Sequence, residues 1–144
     1  MPHLKKEYPV KAGDFVHAGE GSMQIQSTLK SIGYDPEIIR RAAICAYESE
    51  MNIVMHGGDG AIYLTVDDRL IIIEANDDGA GIEDIGLAFQ EGYSTARIEH
   101  QEMGFGAGMG LPNIKKNADS VDVSTSKNQG TSLKMFFYTD DKNG

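Results

Sequence analysis

Four glycines at alternate positions, Gly104, Gly106, Gly108 and Gly110, stand directly ahead of a helical stretch that opens Leu111-Pro112. Such a run cannot be a packed strand or a helix interior, because glycine has no side chain to bury and is entropically expensive to order. It reads as main chain that comes close to something. Successive amides unshielded by side chains can wrap an anion, and the helix that follows adds free N–H groups and the positive end of its dipole. Polyphosphate is the natural guest. The run is not a P-loop, which would end in Lys followed by Ser or Thr, nor a Rossmann fingerprint, since no clean strand precedes it. A flexible connector would explain the glycines, 17 of 144 residues in all, but not why they abut a helix with proline in its first turn.

The rest of the composition narrows the partners. With 13 basic and 22 acidic side chains the formal charge is −9, which repels a phosphate backbone and argues against nucleic acid. No apolar run approaches the ~20 residues of a membrane span. A single cysteine, Cys45, cannot close an internal disulfide or build a thiolate zinc cage, and Met1 to Val10 lacks a signal-peptide core, so a reducing, cytoplasmic setting is expected.

Periodicity predicts interleaved helices and strands over one domain, 1–144. A strand is expected within residues 8–18, and a helix over 23–32 capped by Ser22 and stopped by Gly33. Asp35-Pro36 opens a long helix that runs to His56 ahead of Gly57-Gly58. Ala61–Val66 and Leu70–Ala75 form a hairpin across Asp67, Asp68 and Arg69. A glycine-punctuated loop with a short helical stretch near Glu83 to Gln90 fills 79–110. A helix over 111–118, strands over 121–126 and 132–138 and a frayed tail from Asp140 complete the reading.

Glu48 and Asn52 are four apart on the long helix, so a carboxylate and an amide share one face, with His56 a further turn on. An isolated pair of this kind is most often a solvated stripe. Glu50, half a turn away, is expected to be an exposed acid on the other side. Asp77-Asp78-Gly79-Ala80-Gly81-Ile82 ends a strand in an acid that can accept a donor from a ligand, or that simply makes an acidic turn.

Taken in order, E-x-x-x-N, D-x-G-x-G, the G-x-G-x-G-L run and Gly130-Thr131 resemble the four nucleotide-binding boxes of the GHKL ATPases, from about Ala43 to the C-terminus. Within that superfamily the chain is similar to the small serine kinases of the anti-sigma factor and stress-switch type. That similarity is carried by Asp14-Phe15-Val16, Ala18-Gly19-Glu20, Asp35 to Arg41, Tyr47 to Asn52, Gly92 to Thr95 and Gly110-Leu111-Pro112.

The resemblance implies a Bergerat-type α/β (α+β) two-layer sandwich, with a mixed, mostly antiparallel sheet and helices on one face. It implies an ATP- and Mg²⁺-dependent serine/threonine protein kinase acting on a STAS-domain antagonist, with a sigma factor, a phosphatase or a second copy as further partners. The alternatives are a nucleotide-gated anti-sigma binding protein and a detached histidine-kinase catalytic domain. By resemblance Glu48 is the general base, Asn52 holds Mg²⁺, and Asp77 accepts the adenine amino group. Gly79, Gly81 and Ile82 lie by the base, and Gly106, Ala107, Gly108, Met109, Gly110 and Leu111 cradle phosphates. Thr131 adds a hydroxyl near adenine, and a lid covers about 92–108.

Several neighbours have plainer expectations. His56 suits a helix C-terminus, Arg97 a solvated charge, and Ser94 and Thr95 a helix cap. Cys45 reads as a small buried hydrophobe, and Phe89, Phe105, Phe136 and Phe137 as core or lid packing.

Overall fold

The computed structural model describes residues 4–56, 58–78, 110–125 and 130–139. Its elements run β1 (Leu4–Val10), α1 (Glu20–Ile32), α2 (Pro36–His56), β2 (Gly60–Val66), β3 (Leu70–Asp77), α3 (Gly110–Asn117), β4 (Ser120–Thr125) and β5 (Thr131–Tyr138). The strands make one sheet in the order β1-β2-β3-β5-β4. Among the described residues every pairing in it is antiparallel, in line with the mostly antiparallel sheet expected.

Alternation along the three central strands decides which face is covered. Ile62, Leu64 and Val66 of β2, Ile71, Ile73 and Ala75 of β3, and Leu133, Met135 and Phe137 of β5 are all buried. Register sets them side by side, Leu64 opposite Ile73 and Ile73 opposite Met135. Against them pack Ala42, Cys45, Ala46 and Ile53 of α2 and Ile25 and Leu29 of α1 in one continuous core. Each large aliphatic side chain there contributes about 1.5–3 kcal/mol by leaving water. Phe137 is in this core, whereas Phe136 falls on the opposite, half-buried face.

The two ends of α2 are set locally. Asp35 Oδ1 accepts the Glu37 amide at 3.1 Å, and Pro36 at the first helical position gives up no hydrogen bond. The α1 stop is also as expected: Gly33, at φ 102°, donates to Leu29 and Lys30 carbonyls.

Three boundaries differ from the sequence reading, each for a physical reason. The first strand occupies Leu4–Val10, not 8–18. Lys5, Lys6 and Glu7 disguise it, yet an edge strand tolerates exposed charges, while Gly13, at φ 78°, turns the chain and donates to Val54 O at 2.8 Å. Helix α1 begins at Glu20, so Ser22 lies within its first turn and its hydroxyl donates to Gly19 O at 2.9 Å instead of capping. Strand β3 continues through Asp77, which is therefore held within the ladder. The expected helical stretch near Glu83 to Gln90, and the lid over 92–108, lie outside the described residues. Among the described residues no helix is long and apolar enough to cross a membrane.

Candidate functional site

Helix α3 runs antiparallel along α2. Arg41 Nη1 donates to Asn117 O at 2.8 Å, Cys45 Sγ lies 3.6 Å from Ile114 O, and Asn113 Nδ2 donates to Glu48 Oε2 at 3.1 Å. Gly110 then falls beside Asn52: a Cβ built on it would stand 3.2 Å from Asn52 Oδ1 and 3.5 Å from Glu48 Oε1. The absent side chain is what lets the start of α3 approach both groups. The half-buried carboxylate and amide thus face the end of α3 where amides are unpaired and the dipole is positive. Leu111 is buried, so what it can offer a ligand is its backbone.

Asp77 sits at the other edge of this region. Its cross-strand partners are Gly60 on β2 and Thr131 on β5. Both flanks are glycine for steric reasons, since a Cβ on Gly60 would run into Asn76 O and one on Gly130, at φ 85°, into Asp77 O. Asp77 and Thr131 are therefore cross-strand neighbours. The end of α2 and the start of β2 are four residues apart, so Asn52 and the Gly60–Asp77 pair lie within about 20 Å along the chain. Gly79, Gly81, Ile82, Gly106, Ala107, Gly108 and Met109 lie outside the described residues, as do Ser94, Thr95 and Arg97.

Among the described residues no three His, Cys, Asp or Glu side chains gather to hold a metal ion. Mg²⁺ in a phosphate site takes one or two protein oxygens, with phosphates and water completing the octahedron. Asn52 Oδ1, left uncovered by the missing Cβ of Gly110, is an oxygen of that kind.

Glu50 overturns its expectation. It is 3% exposed, and its carboxylate accepts the backbone amides of Gly21 at 3.2 Å and Ser22 at 3.0 Å. It caps α1 from another helix, because Gly19, the residue in the cap position, has no side chain to do so and adopts φ 99°. Tyr47 lies against that glycine. Cys45 is buried as expected, and burial pushes its thiol up to about 12, with Arg41 pulling weakly the other way. Asn113 was not singled out by sequence. Its signal is spacing, three residues beyond Gly110 and so on the same helical face.

Residues 36–141 match the family described as histidine kinase-, DNA gyrase B-, and HSP90-like ATPase. The chain belongs to that family. It is 31% identical over 102 residues to the anti-sigma F factor of Caldanaerobacter subterraneus subsp. tengcongensis, a match covering 71% of this chain and 64% of that protein. It is 32% identical over 111 residues to the anti-sigma F factor of Thermoanaerobacter pseudethanolicus, covering 72% and 74%. It is also 30% identical over 113 residues to the serine/threonine-protein kinase RsbT of Bacillus subtilis, covering 75% and 78%. The chain spans just under two thirds of the length of the first of these relatives.

Proposed function

We propose that this chain is an ATP- and Mg²⁺-dependent serine/threonine protein kinase of the anti-sigma and stress-switch type, acting on a STAS-domain partner. The observation that carries the reading is the placing of Glu48 and Asn52, one turn apart, against the N-terminus of α3 across Gly110. The kinase name of the Bacillus subtilis relative supports it.

Asp77 accepts the exocyclic amino group of adenine, with the Thr131 hydroxyl beside it. Asn52 holds the metal, and the amides that open α3 hold phosphate oxygens. MgATP supplies the phosphoryl group. The acceptor hydroxyl oxygen forms the new P–O bond as the bond to ADP breaks, and its proton passes to Glu48 Oε1. Positioning and charge stabilisation do most of the work in this chemistry, so rigid placement of Glu48 matters more than its basicity.

Incubation with labelled ATP and Mg²⁺, capture of partners in ATP and in ADP, and mass spectrometry of the phosphorylated product test the reading. A phosphoserine or phosphothreonine on a STAS-domain protein is the expected result. An acid-labile phosphohistidine would replace it with a detached histidine-kinase domain. The anti-sigma names of two relatives favour one other reading, sequestration gated by nucleotide. Tight capture of a sigma factor without phosphate turnover would establish that reading and sink the kinase.

A further inference from the structure

A general base on a flexible three-torsion side chain needs something to aim it. Glu48 is half-buried, and Asn113 donates a side-chain hydrogen bond to its carboxylate. We propose that Asn113 is a positioning residue for Glu48, fixing the plane of its carboxylate so that Oε1 faces the phosphate end of α3. The proposal rests on the reading of Glu48 as the base.

The geometry divides the two oxygens. Asn113 Nδ2 takes Oε2 at 3.1 Å, while Oε1 lies beside Gly110, 3.5 Å from where a Cβ would be. A neutral donor suits this position, since a carboxylate would repel Glu48 and an aliphatic side chain would leave it to turn towards water. Asn113 is itself well anchored. Its carbonyl accepts Asn117 Nδ2 at 2.8 Å, and the far end of α3 is tied to α2 through Arg41 and the Asn117 carbonyl. One short helix therefore carries both the amides that face phosphate and the group that orients the base. Their separation, a single helical turn, does not depend on any other part of the molecule.

The test uses the purified chain with the phosphoacceptor protein captured above, following transfer of labelled phosphate from ATP and Mg²⁺, with nucleotide affinity measured separately. Asn113→Leu should lower kcat by about 10- to 100-fold with the KM for ATP within about twofold of the parent, and Asn113→Gln should recover most of the rate. In nitrogen-15 spectra the Asn113 side-chain amide should shift when Glu48 is replaced by Ala. If Glu48→Ala abolishes turnover but Asn113→Leu keeps the parental kcat, or if the Asn113 amide does not move, the proposal is overturned while the base reading survives. If Glu48→Ala itself keeps full turnover, the base reading fails and takes the proposal with it.

Discussion

Glu48 and Glu50 are two residues apart on one helix, and their environments have almost nothing in common. Glu48 is half-buried, accepts a hydrogen bond from the Asn113 side-chain amide and lies beside Gly110. Glu50 is buried and spends both oxygens on main-chain amides at the head of α1. A step of two residues rotates a side chain about 200° around a helix axis, so one flank of α2 looks to α3 and the other to α1. What separates a candidate base from a structural cap is the element that packs against it.

The largest test of that contrast is Glu48→Ala, which should lower phosphoryl transfer by about 10²–10⁴-fold and leave thermal stability and ATP affinity near the parental values. Equal transfer by parent and variant would erase the distinction. Glu50→Leu should do the reverse. It strands two buried amides at the start of α1, so chemical denaturation should show a loss of about 3 kcal/mol, with transfer per folded molecule little changed. A variant as stable as the parent would mean that α1 needs no cap from α2.

Asp77→Asn extends the comparison to a carboxylate fixed by strands instead of helices. It should weaken ATP binding by about 1–3 kcal/mol, measured by calorimetry, and reduce the preference for ATP over GTP. Retention of full affinity would detach Asp77 from the base.

The smallest effect belongs to an exposed pair. Asp14 and His17 lie 3.0 Å apart ahead of α1, and the hydrogen bond His17 donates to the Asp14 carboxylate, followed by the charge of Asp14 and that of Glu20, raises the His17 pKa above its ordinary 6.5. The same bond holds Asp14 below its usual 3.8. Whatever the pair contributes is complete below pH 6.5 on the histidine side and fades as pH rises through the raised value. On the acid side it is present above 3.8 and fades as pH falls through the lowered one. A carbon-detected NMR titration should find His17 above 6.5 and returning towards it in Asp14→Asn, and an unmoved titration would remove the pair.

Much of this was legible in the sequence where the determining contacts are local. Asp35-Pro36 and the glycines after His56 delimit α2, Asp67 to Leu70 closes the β2–β3 hairpin through Asp67 N and Leu70 O at 3.0 Å, and alternation marks β5. What escaped reading is non-local. The partners of Glu50 are 28 and 29 residues upstream, and Arg41, besides a local pair with Glu37, reaches Asn117 and Asp119, so nothing in the pentapeptide around either acid or base announces those distant contacts. Lys5, Lys6 and Glu7 hid β1 because edge position, not composition, made them acceptable. Asn113 needed only helical spacing from Gly110, a clue available but unused.

The clamps on α3 and the ladder around Asp77 have a consequence for how the molecule could vary. Asp78, whose amide donates to Asp59 O, and Gly110 are two anchored posts, and the chain joining them carries the 31 residues from 79 to 109. Both posts are held by contacts made outside that stretch, α3 to Arg41 of α2 and Asp78 to Asp59, so a substitution at Arg41 would shift one end of the stretch without touching any residue in it.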